Sequence, residues 1–227
     1  MSGSFYALQE RVVVGFVEDV RKITDGPMTR MWPWMYRTIA GFAPRPLLTA
    51  TGGGAPAKPY TAVSYHTGPA LGWKDFDPEQ PPAWGDPRLG WIMRAMVLES
   101  AECVFVPRDS RLFATFCIWL PEHRMIDGSA ETEQWELYQN RIFYNSDPFP
   151  EPFAFLQSEG YRAYIPHDEL VALVETERRA GLLRNSAQRV DASGVNPYAA
   201  QELRRLAAFM EYAVADGSAL LYHEAAT

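Results

Sequence analysis

Four histidines stand in this chain, and two of them, His66 and His123, sit where strand-like segments give way to loops. An imidazole titrates near neutrality, so a histidine beside a carboxylate is the commonest acid–base pair in an enzyme. Asp75 and Asp77 follow His66, and Glu122 and Asp127 flank His123. If the chain is catalytic, His66, His123 and Asp127 are the residues expected to move protons. His167 opens a helix and His223 closes the last strand, which gives each an ordinary structural place. No two histidines have the His-x-x-x-His or His-x-His spacing of a local metal site, so neither a metal nor any other cofactor is expected.

Other reactive groups carry weaker signals. Gly52-Gly53-Gly54 could wrap a phosphate, but it runs on through Ala-Pro-Ala-Lys-Pro into a strand. A phosphate loop needs Lys-Ser/Thr at the start of a helix, and Pro59 forbids one. There is no Gly-x-Ser-x-Gly elbow. Cys103 and Cys117 lie in apolar segments, which raises a thiol's pKa and quiets it. Asp147-Pro-Phe149 is a three-residue turn too short to mark a peptide ligand.

The strongest hint at a surface function is aromatic. Residues 65–91 hold three of the seven tryptophans, five of the eighteen prolines, and four acids against two bases. Loops of such length are usually functional or disordered, and disordered segments lack aromatics. Asp86-Pro87 reads as the N-cap and first residue of a helix, which leaves an irregular loop over 66–85. Trp73, Phe76 and Trp84 are its expected anchors for a partner, with Asp75, Asp77 and Glu79 as a charged rim. Trp and Arg are enriched at interface hot spots.

The 227 residues are 47% hydrophobic and 22% charged, ordinary values for one globular domain, here taken as 1–227. The net charge of −7 speaks against nucleic acid and anionic membrane, both of which are bound through basic patches. No apolar run is long enough for a membrane span. The N-terminus lacks the basic start of a signal peptide, and two cysteines make no disulfide framework. A reduced, cytoplasmic chain of unknown oligomeric state is expected.

The elements around these residues follow from period and punctuation. Phe5, Leu8, Val12, Phe16, Val20 and Ile23 recur at helical spacing, and Gly26-Pro27 ends the run. Residues 28–42 read as a short interrupted helix, residues 60–65 as a strand, and 86–101 as a buried helix. Cys103–Val106 and Leu112–Leu120 read as a hairpin that sets Cys103 opposite Cys117 and Phe105 opposite Thr115. Ser129 to Asn140 is an acidic helix, and Ile142–Tyr144 a strand. His167 to Gly181 is a helix with acids first and arginines last, as the helix dipole prefers. Asn196-Pro197 caps a last helix that closes at Gly217, and Ala219–Tyr222 is a final strand. No element is assigned to 182–195.

Without regular β-α alternation, these elements predict an α+β fold. Its sheet is mainly antiparallel, contains the buried central hairpin, and has helices packed on one face and one end. The expected function is an acidic protein-binding module, of inhibitor, immunity or assembly type, whose loop meets a partner with a basic face. The alternative is a small-molecule enzyme or ligand-binding protein with a pocket under the 66–85 loop and histidine acid–base groups.

Overall fold

The computed structural model describes residues 2–40, 48–50, 62–64, 76–86, 89, 93, 103–105, 115–145, 147–158 and 161–225. The fold is α+β. Strands β1 (Ser2–Leu8), β4 (Cys103–Phe105), β5 (Tyr161–Ile165) and β6 (Ala219–Ala225) form one antiparallel sheet in the order β4-β1-β6-β5. A separate two-stranded ribbon pairs β2 (Leu48–Ala50) with β3 (Ala62–Ser64). The helices are α1 (Glu10–Asp25), α2 (Trp32–Ala40), α3 (Gly128–Tyr138), α4 (Ala154–Ser158), α5 (His167–Ala180), α6 (Leu182–Ser193) and α7 (Pro197–Ala215).

Strand alternation divides the core in two. Phe5, Ala7, Ala163, Ile165, Leu220 and Tyr222 join a buried cluster with residues of α3, α5, α6 and α7. Tyr6, Leu8, Tyr164, Ala219 and Leu221 join a second cluster with residues of α1 and α2. Side chains one residue apart on a strand point to opposite faces, so the two clusters lie on opposite faces of one sheet. Helices therefore cover both faces, rather than one face and one end. At the centre, the register sets Phe5 opposite Tyr222, with ring centroids 4.7 Å apart.

Three sequence expectations give way here. Phe5 and Leu8 belong to β1 and not to the first helix, which starts at Glu10. Four residues satisfy either period, and the neighbouring strands decide. The second strand of the expected hairpin is helical from Thr115 on: Thr115–Trp119 is a wide π-helical turn running into a short helix at Leu120–Glu122. Cys103 pairs with Ala7 and Phe105 with Phe5, so the expected Cys103–Cys117 register is not the one adopted. Ile142 and Phe143 likewise lie in a π-helical continuation of α3 rather than a strand. Both of these segments turn bulky apolar residues inward, and Phe116, Cys117, Leu120, Ile142 and Phe143 are all buried.

Other expectations hold. α1 buries Val20 and Ile23 as expected, but its buried stripe runs through Val13 and Val17, while Val12 is 45% exposed and Phe16 half-buried. It ends where Gly26 passes so close to the last turn that a Cβ would lie 2.8 Å from the Lys22 Cα. The interrupted helix is a 3-10 turn at Thr29–Met31 followed by α2, with Pro33 in its first turn, where the missing N–H costs nothing. α5 carries Asp168 and Glu169 first, Arg178 and Arg179 last, and closes on Gly181 at φ +68°. Asn196 caps α7 by accepting the Ala199 N–H at 3.1 Å. Leu89 and Met93, one turn apart in the helix expected after Pro87, are helical and buried; the rest of that segment lies outside the described residues.

Candidate functional site

The described half of the aromatic loop is tied to the domain from beneath. Trp32, fully buried in α2, donates its indole N–H to the Asp77 carbonyl at 2.8 Å. Its ring meets Phe76 edge-on at 5.7 Å. The Asp77 carboxylate accepts the Glu79 N–H at 2.8 Å, which closes a tight turn. Gly85 follows at φ +95°, a conformation open to glycine, and the Asp86 N–H returns to the Ala83 carbonyl at 3.1 Å.

This arrangement sorts the expected anchors. Phe76 is buried under Trp32, so it supports the loop and is not available to a partner. Trp84 is half-buried against the α1–α2 cluster, and the Arg21 guanidinium lies 5.7 Å from its ring centroid. Asp77, Pro78, Glu79 and Gln80 are exposed, and neither acid is in an ion pair among the described residues. Trp73, Asp75 and His66 lie outside the described residues. Trp34, on the solvent side of α2, is 54% exposed.

Of the expected acid–base residues, His123 and Asp127 are described, and each is held by other partners. The His123 ring is exposed, stacks on Trp119 with centroids 4.4 Å apart, and holds the Trp119 carbonyl through Nδ1 at 3.0 Å. Asp127 is exposed one turn further on, where its backbone N–H donates to Glu131 at 2.9 Å. No hydrogen bond or ion pair joins His123 to Asp127. Neither residue lines the groove between α6 and α7, a cavity of about 360 Å³ bordered by Arg184, Gln188, Arg204, Ala207, Ala208 and Glu211.

Two polar clusters, one half-buried and one buried, are not foreseen from the sequence. At one end of the sheet the Tyr164 hydroxyl donates to Glu10, and Glu10 also accepts the His167 backbone N–H at 3.5 Å. The His167 Nδ1 meets the Ser218 carbonyl at 3.2 Å. A carbonyl only accepts, so Nδ1 carries the proton. Burial first, and then the Glu10 carboxylate, push the Tyr164 hydroxyl far above its usual pKa. These bonds bind together the exits of β1 and β5 and the entry of β6. The second cluster centres on Glu177 between α3, α5 and α6, and its carboxyl pKa is raised by burial. No local motif announces either cluster. Tyr138 and Leu173 are 35 residues apart, and Glu10 and His167 are 157 apart.

Among the described residues no group of three or more His, Cys, Asp or Glu is placed to hold a metal ion, and no helix is long and apolar enough to cross a membrane. Comparison of the chain with family models, curated proteins and solved structures finds no match.

Proposed function

We propose that this protein is a protein-binding module that presents the outer side of its aromatic loop to a partner with a basic face. The observation that carries the reading is the Trp32 tether. An indole–carbonyl bond and a buried Phe76 hold the 76–86 segment from below, and a surface restrained in this way loses less entropy on binding. Its outer side combines two exposed acids, Asp77 and Glu79, with the half-buried Trp84 and the arginine beside it. Rim acids of this kind steer an oppositely charged partner, and a tryptophan at the centre supplies contact area. Trp73 and Asp75 extend the same proposal along the chain.

The experiment is affinity capture from an extract of cells that produce the protein, with the purified chain immobilised. The D77N/E79K variant changes the charge while the new amide keeps an acceptor for the turn, and Trp84→Ala removes the aromatic. Glu175→Lys, on α5 across the sheet, is the control. One protein retained by wild type and E175K, but released by D77N/E79K at moderate salt, supports the reading. Equal retention by all four chains, or retention of nothing, overturns it.

A further inference from the structure

The groove between α6 and α7 lies on the opposite face of the sheet from the aromatic loop, and its lining has a regular plan. The two helices run antiparallel. Arg184 of α6 pairs with Glu211 of α7 at one end of the groove, and Arg204 of α7 pairs with Asp191 of α6 at the other. Between the two bridges Gln188 faces Ala207 and Ala208, whose small side chains leave the opening. Residues 204 and 211 are two turns apart, so the bridges stand about 10 Å from each other along the helix axis.

We infer that this groove binds a small, elongated dicarboxylate, with one carboxylate at Arg184, the other at Arg204, and an apolar spacer over Ala207 and Ala208.

Four features support this ligand class. Each guanidinium contributes one terminal nitrogen to its acid, although arginine has five N–H donors. Both bridges are half-exposed, and bridges of that kind are worth about 0–1 kcal/mol, so they rearrange at little cost. Glu211 has a second cation at hand, the Arg178 Nε at 3.9 Å, and stays paired when Arg184 turns to a ligand. The opening, about 360 Å³, lies within the usual range for small-molecule sites. The chain carries a net charge of −7, which gives an anion no help, so a dicarboxylate bound here takes the places of Glu211 on Arg184 and of Asp191 on Arg204.

The test is a titration of the full chain with acetate, succinate, adipate and suberate at constant ionic strength. Binding is read from the side-chain amide signal of Gln188 and from calorimetry. Adipate or suberate is expected to bind at least about tenfold more tightly than acetate, because only a molecule with two anionic ends engages both arginines. Arg184→Gln and Arg204→Gln are each expected to weaken that binding about tenfold, matching the loss of one charge-assisted contact. Arg179→Gln, exposed on α5 and away from the groove, should leave it unchanged. Unaltered melting temperatures establish that the variants fold. Absence of adipate and suberate binding, affinities no better than that of acetate, or undiminished binding by R184Q and R204Q overturns the inference. Partner capture through the loop is a separate measurement, so either proposal can fail alone.

Discussion

The Glu177 carboxylate, near the end of α5, accepts the backbone N–H of Leu183, in the first turn of α6, at 3.0 Å. It also accepts the Arg184 N–H at 3.3 Å and the Gln134 amide at 2.9 Å, while the Gln134 carbonyl oxygen takes the Leu182 N–H at 3.2 Å. The first N–H groups of a helix have no partner inside it. Here two side chains from α3 and α5 supply the partners, and a carboxylate suits the positive end of the helix dipole. The Tyr138 hydroxyl completes the cluster between Glu177 and the Leu173 carbonyl.

Glu177→Ala should therefore destabilise the protein by about 2–4 kcal/mol, since it strips the α6 cap and strands buried donors. Glu177→Gln keeps an acceptor and should cost about half as much. Chemical denaturation of both variants checks the order. Alanine no worse than glutamine would mean that the cap contributes nothing.

A pH dependence follows from the same group. Burial raises the folded Glu177 pKa above its ordinary value, so the folded chain holds the proton more tightly than the unfolded chain. Its contribution is fully present below the unfolded pKa and is lost as pH rises through the folded one. Wild type should lose stability relative to E177Q as pH is raised from about 4, near the unfolded value, through that window. Urea midpoints of both proteins across the range give the comparison, and a constant difference would contradict it.

Trp32→Phe preserves a buried ring but deletes the indole N–H that holds the Asp77 carbonyl. The expected cost is about 1–2 kcal/mol, for a lost hydrogen bond and an unsatisfied carbonyl. Amide exchange should accelerate over residues 76–86 more than in the strands. Partner capture should weaken as well, though Trp32 lies beneath the proposed surface. Uniform exchange throughout the domain would show that the tether is not local.

Two glycines should respond to alanine with opposite signs. Gly15 lies inside α1, with nothing within 4 Å of the point where a Cβ would stand, so Gly15→Ala should add about 0.5–1 kcal/mol. Gly181 sits at φ +68°, and its Cβ would lie 3.0 Å from the Asn185 side chain. Gly181→Ala should cost about 1–2 kcal/mol. Melting temperatures of the two variants moving in the same direction would refute the pair of assignments.

The ion pairs should divide by burial. Arg189 pairs with the buried Glu131 and donates Nε to the Met125 carbonyl at 2.8 Å. Arg189→Ala leaves that carboxylate with the Asn185 amide and the Asp127 N–H, and should cost about 3 kcal/mol. Lys22→Ala, which breaks exposed contacts to Glu18 and Asp19, should fall within about 0.5 kcal/mol. Denaturation curves in low and high salt distinguish the two, because salt screens the exposed pair more strongly.

How much is legible in the sequence depends on whether an element's signals are local. α5 carries acids in its first turn, arginines in its last and a closing glycine, and α7 carries its own Asn196 cap and a glycine just past its end, so both are readable. α6 is not. Its buried stripe includes Ser186, its sequence is rich in Asn, Ser and Asp, and its N-terminus is capped by Glu177 and Gln134 from elsewhere. Tyr161–Ile165 is a strand because β6 lies beside it. At the candidate site, composition marks the loop but does not say which aromatic faces inward. Trp32, outside the loop and 45 residues before Asp77, makes that choice.

By itself the sequence determined the α+β class, the ends of α5 and α7, and an acidic loop dense in aromatics. These follow from period, punctuation and composition, all of which act within a few residues. Only the tertiary structure decided that Phe5 is in a strand, that Phe76 is a support and Trp84 half-exposed, and that two arginines on separate helices bracket one groove. Those outcomes rest on contacts between distant segments, where burial and pairing outweigh local preference.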